Sequence, residues 1–529
     1  MKNKIIAAVT IIAMSSLVLA GCAGINIRVN YVNNTDNEQP EREYDYDYEE
    51  LADITVQNFL SIAKIPRPSH HEEKIGEFFM EWAESKGYEP VRDDVGNVIF
   101  DVPATAGFED YPLTALQVHM DMVCTADEGV DFDPLNDPIN VIVDKDAGII
   151  TAEGTSLGAD DGIGDAIVMT LVSEDIAHGP LRVIITVNEE DGMDGTFGLD
   201  PKWLEAPKYL INLDNEASDE VLVSTAAGNL ITAYGAVSSD TPAGDTAVSI
   251  SIKGLLGGHS GTEIDKGRLN GTIALVKLLD DLRTEGIAYE LASFSGGKAN
   301  NAIPAIAQAD IVINADDRET LESLCAAYED DLKEQYKGIE EGISITVSET
   351  DTPKWVINGT DLDNMIKYVI SVIDGVYTWS EDMEDLVESS ANLGVMSVDP
   401  EEGFKAVSYV RSSDAAKLAE IIEYDTDLAE ECGYEINNVK SADPWKYDPD
   451  SRLLDMTKRI YRDINGEDIK VVAVHAGLEC GTYASMNPDL DMISIGPDIS
   501  DAHTTRETLH ISTLPNLLHL ITELLRECR

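Results

Sequence analysis

The chain has 529 residues, 43% of them hydrophobic, enough for several domains around a large buried core. Against 37 Lys and Arg stand 99 Asp and Glu, a formal net charge of −62. That balance excludes nucleic acid as a partner and charge-driven docking on anionic lipid, and the hydrophobic fraction excludes an acidic disordered chain.

The N-terminal "MKNKIIAAVTIIAMSSLVLAGC" begins with Lys2 and Lys4, continues apolar and closes on small residues. This is the pattern of an export signal, too short and too early for a membrane span. "LAGC", Leu19–Cys22, resembles a bacterial lipoprotein signal, so residues 1–21 are expected to be cleaved and Cys22 lipid-modified. A plain secretory signal and an uncleaved anchor are the competing readings. All three place the protein outside the cytoplasmic membrane. Residues 22–50, ending in "EQPEREYDYDYEE", read as an acidic, self-repelling tether. Beyond Cys22 there are Cys124, Cys325, Cys432, Cys480 and Cys528. An odd number at wide spacing with no CxxC argues against a disulfide framework and against a sulfur-based zinc site.

From residue 51 apolar strands alternate with helical patterns. "GNVIFDV", "LTALQVHMD", "RVIITVNEE" and "KYLINLDNE" are predicted strands, and "DDGIGDAIVMTLVSED" a helix. The alternation predicts an α/β domain with a mostly parallel sheet over residues 51–226, its functional residues gathered outside the carboxyl ends of the strands. After residue 226 the texture becomes that of alternating strands ("AVSISIKG", "AQADIVINADD", "GISITVSET") with helices such as "GTIALVKLLDDLRTEG". This predicts a second, α+β domain over 227–440. "KVVAVHAGLECG", "DMISIGPD" and "LPNLLHLITELLREC" return to the first texture over 441–529, so the first domain is expected to be interrupted by the second.

Acids and histidines end several of the apolar runs. "LTALQVHMDMV" closes on His119 and Asp121, which share one face if the strand continues. "TSLGADDGIGDA" sets Asp160 and Asp161 at a turn before an apolar helix; "VIITVNEEDG" ends in Glu189 and Glu190; "YLINLDNE" carries Asp214; "SIGPDISDAH" carries His503. Singly each has an ordinary account, a hydrogen-bonded histidine, a helix cap or a loop acid. Together they converge on one edge of a parallel sheet without compensating Lys or Arg. Such a cluster calls for divalent cations, and carboxylates with imidazoles and no thiolate suit zinc, cobalt or manganese. With two metals one carboxylate bridges, and the water between them becomes a nucleophile.

"HMDMV", "LGADDGIG", "NEEDGMDG", "GGHSG", "NAIP", "HAGLECG" and "SIGPDISDAH" together resemble the M20 clan of metallopeptidases, and within it the aminoacyl-histidine (Xaa-His) dipeptidase branch. The resemblance spans residue 52 to the C-terminus. It implies a di-zinc catalytic domain with an inserted lid and dimerisation domain, a homodimer, and small peptides as substrates. By the same resemblance His119, Asp160 and Asp214 bind the first metal, Asp160 bridging, and Glu190 and His503 bind the second. Asp121 orients His119, Glu189 is the general base, and the Asp160–Asp161 peptide is a candidate cis bond. His259 would stabilise the oxyanion, often from the lid of a partner subunit, and Asn301, Arg411, His475 and Glu479 fall on the substrate side, Glu479 meeting a free amino terminus. His70, His71, His178, His510 and His519 have no motif around them and are assigned to structure or surface.

Two features depart from the branch. Asparagine commonly follows the bridging aspartate, and here Asp161 adds a charge near the metals. The branch is usually cytosolic, whereas this chain begins with an export-like segment. The expected activity is hydrolysis of unblocked dipeptides by an exported enzyme. The alternatives are an N-acyl-amino-acid deacylase or tripeptidase of the same clan, or a non-catalytic peptide-binding lipoprotein.

Overall fold

The computed structural model describes residues 46–399 and 401–529, with the backbone of two short strands, Asn30–Tyr31 and Arg42–Glu43. The signal segment, Cys22 and most of the tether lie outside the described residues. The tether reading fails for its last residues. A helix, Tyr48–Ile62, starts there, with Asp47 accepting the Glu50 N–H as its cap. The tyrosines of "DYDYEE" supply the reason. Tyr46 is buried and its hydroxyl accepts the Ala177 N–H at 2.8 Å. Tyr48 stacks on His519 with ring centres 4.3 Å apart, and its hydroxyl lies 3.1 Å from Thr522 Oγ1. A charge run reads as solvated, but its aromatic rings find partners in the fold.

The first sheet has eight strands: β1 (Val91–Arg92), β2 (Val98–Val102), β3 (Thr114–His119), β4 (Leu181–Thr186), β5 (Tyr209–Asn212), β6 (Glu220–Thr225), β7 (Lys470–Val474) and β8 (Asp491–Ser494). Their spatial order is β7-β6-β8-β5-β3-β4-β2-β1. The run β8-β5-β3-β4 is parallel, as is β6 with β7, while β6–β8, β2–β4 and β1–β2 are antiparallel. β3, β4 and β5 are buried along their whole length. Leu116, Val118, Val183 and Ile185 meet the helices Tyr48–Ile62, Ala159–Ser173, Arg452–Asn465 and Leu514–Glu527 on one face; Ala115, Ile184 and Leu210 meet Leu204, Trp445 and Tyr483 on the other. Cover on both faces is why these strands read as unbroken apolar runs. Each buried Leu, Ile or Val contributes about 1.5–3 kcal/mol, so this core fixes the register of what lies at the strand ends.

The second sheet is antiparallel throughout and is built from residues 227–442. Its order begins with Ser344–Glu349, Thr246–Lys253, Ala307–Ile313 and Tyr289–Gly296, and continues with Val387–Asp399, Gly403–Ser412, Ala227–Gly235 and Glu435–Ala442. Helices Gly271–Thr284, Arg318–Gln335, Gly359–Ser371 and Ala415–Glu431 accompany these strands in the chain, and Leu275, Leu321, Met365 and Leu428 from them pack with Ile250, Phe294 and Phe404 of the sheet. The chain leaves the first sheet at β6 and re-enters it at β7, so the mostly parallel sheet is interrupted by an α+β unit.

Candidate active site

The parallel register sets the site. His119 pairs with Thr186, Gln117 with Asn212, and Asn212 with Ser494, so β3, β4, β5 and β8 end along one edge. The segments beyond those ends carry the acids and imidazoles. His119 Nε2 lies 3.0 Å from Asp160 Oδ1 and 3.5 Å from Asp214 Oδ1. His503 Nε2 lies 3.0 Å from Asp160 Oδ2 and 3.0 Å from Glu190 Oε1. Two groups able to hold a cation result, His119–Asp160–Asp214 and Asp160–Glu190–His503, with Asp160 in both. The five residues named as ligands from the sequence are therefore brought together. The Asp160–Asp161 peptide is cis.

Asp121 sits behind this cluster. Its Oδ1 is 3.3 Å from His119 Nδ1. The same carboxylate accepts the N–H of Glu189 at 3.0 Å, the N–H of Glu190 at 3.3 Å and the Ser69 hydroxyl at 2.8 Å. Asp121 thus holds both the imidazole and the loop bearing the two glutamates. Burial pushes the Glu189 carboxyl well above its ordinary range, opposed by His119 and reinforced by Asp214. Burial likewise raises Asp214, while hydrogen bonds to both histidines overcome burial and hold Asp160 far below the usual carboxylate range.

The residues present fit divalent cations. Among the described residues no lysine or arginine forms an ion pair with Asp160, Glu189, Glu190 or Asp214; only the two histidines do. Glu190 Oε1 is buried, with the His503 imidazole 3.0 Å away. Uncompensated buried carboxylates are costly, and a cation between them removes that cost.

The extra aspartate belongs to neither group. Asp161 is buried, and its carboxylate accepts the His119 N–H at 3.2 Å and the Gly164 N–H at 3.1 Å. Burial raises its carboxyl well above the ordinary range, reinforced by Asp214. Glu479 is also not where the sequence put it. It is fully buried at the start of helix Glu479–Met486, where it accepts from Gln117 Nε2 at 2.5 Å and from the Thr196 hydroxyl. Gln117 Oε1 in turn accepts from Asn212 Nδ2. Glu479 supports the floor of the site instead of facing an amino terminus.

The other expected residues form a second cluster on the antiparallel unit. His475 follows β7, and its Nε2 lies 2.7 Å from Ser390 Oγ on the strand Val387–Asp399. Burial, and then Arg411, pushes His475 down to about 3, so it is neutral. Arg411 is buried with its guanidinium 4.1 Å from the Tyr409 ring centre, and its Nε has no hydrogen-bond partner. His259 Nδ1 accepts the N–H of Gly261 at 3.1 Å and of Thr262 at 3.2 Å. The proton of a neutral ring is therefore on Nε2. Burial and then Arg411 lower the His259 pKa, which keeps the ring neutral. Asn301 is exposed and holds Ser260 through its carbonyl. Among the described residues no hydrogen bond or ion pair links this cluster to the ligand groups.

Sequence reasoning missed several residues that the site depends on. Arg67, almost wholly buried, donates to the carbonyls of Met120, Asp121 and Gly158. Glu507, also buried, accepts four consecutive backbone N–H groups from Leu157 to Asp160. Glu72 accepts the N–H groups of His70 and Asn188, tying the loop after the first helix to the glutamate loop.

Comparison with known proteins agrees with this geometry. Residues 115–527 match the model of Peptidase family M20/M25/M40. The chain is 34% identical over 472 residues to the cytosol non-specific dipeptidase of Escherichia coli, covering 89% of this chain and 96% of that one. The crystal structure of aminoacylhistidine dipeptidase from Vibrio alginolyticus superposes with a TM-score of 0.84 at 34% identity, over 89% of this chain and 96% of that one. A tripeptidase from Staphylococcus aureus, 17% identical over 90% of this chain and 99% of its own, shares the fold with a TM-score of 0.51. The expectation of an exported, lipid-anchored enzyme is corrected here. A relative matched almost end to end is by its name a cytosol enzyme, and Leu19–Cys22, the short pattern that carried the expectation, lies outside the described residues. With most of its length matched and its ligand-type residues gathered at the strand ends, the chain belongs to peptidase family M20/M25/M40 and is a hydrolase of peptide bonds.

Proposed function

We propose that the protein is a metal-dependent dipeptidase that cleaves unblocked dipeptides, Xaa-His dipeptides among them. One observation carries the reading: Asp160 turns one carboxylate oxygen to His119 and the other to His503, so two ion-holding groups share it. His119, Asp160 and Asp214 would hold one ion, and Asp160, Glu190 and His503 the other; the donor set suits zinc, with cobalt or manganese as alternatives. When bound, the ions polarise the scissile carbonyl and make water a nucleophile at neutral pH.

The chain's own residues do the rest. Glu189, raised by burial, takes the proton of the attacking water and passes it to the leaving amine. Asp121 fixes the ring of His119. His259 donates from Nε2 to the developing oxyanion, and the buried Arg411, with His475 and Asn301, receives the substrate carboxylate. A homodimer in which a second copy brings His259 to the ligand edge accounts for the separation of the two clusters. The two relatives of 34% identity are named for dipeptides, one non-specific and one for aminoacyl-histidine, which supports the substrate class.

The test is to strip metal with a chelator, restore zinc, cobalt or manganese, and assay free dipeptides, β-alanyl-histidine, a tripeptide and an N-acetyl amino acid. Metal-restored cleavage confined to free dipeptides is expected. Cleavage of the acetylated substrate alone would replace this reading with a deacylase, and of the tripeptide alone with a tripeptidase.

A further inference from the structure

Two buried side chains of opposite charge, neither in the ligand groups, grip one peptide unit. The peptide joining Gly158 to Ala159, immediately before Asp160, gives its carbonyl oxygen to Arg67 Nη2 and its N–H to Glu507 Oε1 at 2.6 Å. Its dipole lies between a cation at the carbonyl end and an anion at the amide end, the orientation that both charges favour. Glu507 also accepts the N–H of Leu157 at 2.8 Å and of Gly158 at 2.9 Å. Arg67 Nη1 donates to the carbonyls of Met120 at 3.0 Å and Asp121 at 2.7 Å. Among the described residues the two charges form no ion pair with each other or with any other side chain. Their strength goes into the backbone.

The attachments connect the three segments that matter. Arg67 reaches Met120 and Asp121, the two residues that follow His119 at the end of β3. Glu507 ends the segment that carries His503, a residue with a left-handed φ of 62°. Both meet at the peptide that leads into Asp160. The glycines of "LGADDGIG" make room for this. Gly158 has a φ of 68°, and a Cβ there would lie 2.7 Å from Arg67 Nη2 and 2.6 Å from Met122 Sδ; a Cβ on Gly162 would collide with the same guanidinium.

We propose that Arg67 and Glu507 are positioning residues for Asp160, Arg67 registering it against His119 and Glu507 against His503. Asp160 serves both groups, one oxygen each, so loosening one anchor disturbs chiefly the distances on that anchor's side. This rests on the metal reading above.

The test is zinc binding to the metal-free full chain by competition with a chromophoric chelator, with the two binding steps assigned by His119→Ala and His503→Ala. Arg67→Lys is expected to weaken chiefly the step lost in His119→Ala, and Glu507→Gln chiefly the step lost in His503→Ala, each by about 10–100-fold. Far-UV circular dichroism and melting of the metal-free variants should stay close to wild type. If Glu507→Gln does not fold, Glu507→Asp, which keeps the charge, is judged by the same criterion. Folded variants with wild-type affinity for both ions would overturn the proposal and leave the metal reading intact. Equal loss of both steps together with loss of the metal-free fold would also overturn it, in favour of a general structural role. A wild-type chain that binds no zinc would bring down the metal reading and this proposal with it.

Discussion

The two sheets place their polar groups in opposite ways. In the parallel run the strands are mostly apolar and the titratable groups lie at or just past their ends, at His119, Glu189, Glu190 and Asp214. In the antiparallel sheet the polar groups lie within two neighbouring strands: Ser389, Ser390 and Asn392 on one, Ser408, Arg411 and Ser412 on the next, all buried. The first region gathers negative charge, and among the described residues no lysine or arginine forms an ion pair with Asp160, Glu189, Glu190 or Asp214. The second places one guanidinium, Arg411, across the register from the neutral Ser390. An edge of that kind calls for cations, whereas a face of that kind has a positive charge to offer. A dipeptide's carbonyl and its carboxylate are suited to the two in turn.

The strongest way to break that contrast is Glu189→Ala. Turnover is expected to fall by about 10²–10⁴-fold with metal content unchanged, checked by steady-state kinetics beside metal analysis. Activity near the wild-type level would remove Glu189 from the chemistry. On the other face, Arg411→Ala should raise KM for free dipeptides by about 10–100-fold and barely move kcat, the loss of a charge-assisted hydrogen bond. Equal effects on KM and kcat would mean that Arg411 acts on the reaction and not on the substrate's end.

Asp425 shows what an acid without a cation does in the second region. It is fully buried on the helix Ala415–Glu431, and burial pushes its carboxyl from 3.8 up to about 7. The folded-state value is the higher one, so the folded chain holds the extra proton. Stability is therefore lost as pH rises from about 4 to about 7, and the full cost of about 4 kcal/mol stands above that. Asp425→Asn should raise Tm at pH 8 by the equivalent of roughly 2 kcal/mol, since the amide is still a buried polar group, with the gain shrinking towards pH 4. A gain independent of pH would exclude ionisation as its source. The smallest effect is expected for Ser390→Ala, which removes the partner of His475 Nε2 and should raise KM by about fivefold, roughly 1 kcal/mol.

The same contrast decides what could be read from the sequence. An apolar run that ends in an acid advertises a conflict between burial and charge, so the strands and the cluster of acids and imidazoles at their ends were legible, while the choice of five candidate ligands among them came through the family resemblance. The cis peptide at Asp160–Asp161 was legible only through the family resemblance. Arg67 and Glu507 were not legible because their partners are backbone groups. Glu507 meets Leu157 across 350 residues, and an amide N–H leaves no mark in composition. Ser390 and Arg411 were obscure as a pair because each alone fits an ordinary strand; only the register, which pairs these two residues, brings them together. Glu479 was misread because a motif shows that a residue belongs to a site but not on which side of it the residue lies. Tyr46 and Tyr48 were lost inside a charge run for the same reason: pattern does not report partners.

The strand order carries a consequence for synthesis. β8 enters the sheet between β5 and β6, both made long before it. When the ribosome has delivered the antiparallel unit up to Ala442, His119, Asp160, Glu190 and Asp214 all exist, but β8, His503 and Glu507 do not. A nascent chain at that point can offer a cation the first group but not the second. The second candidate ion group is therefore completed only by the last-made segment, when the sheet itself is closed.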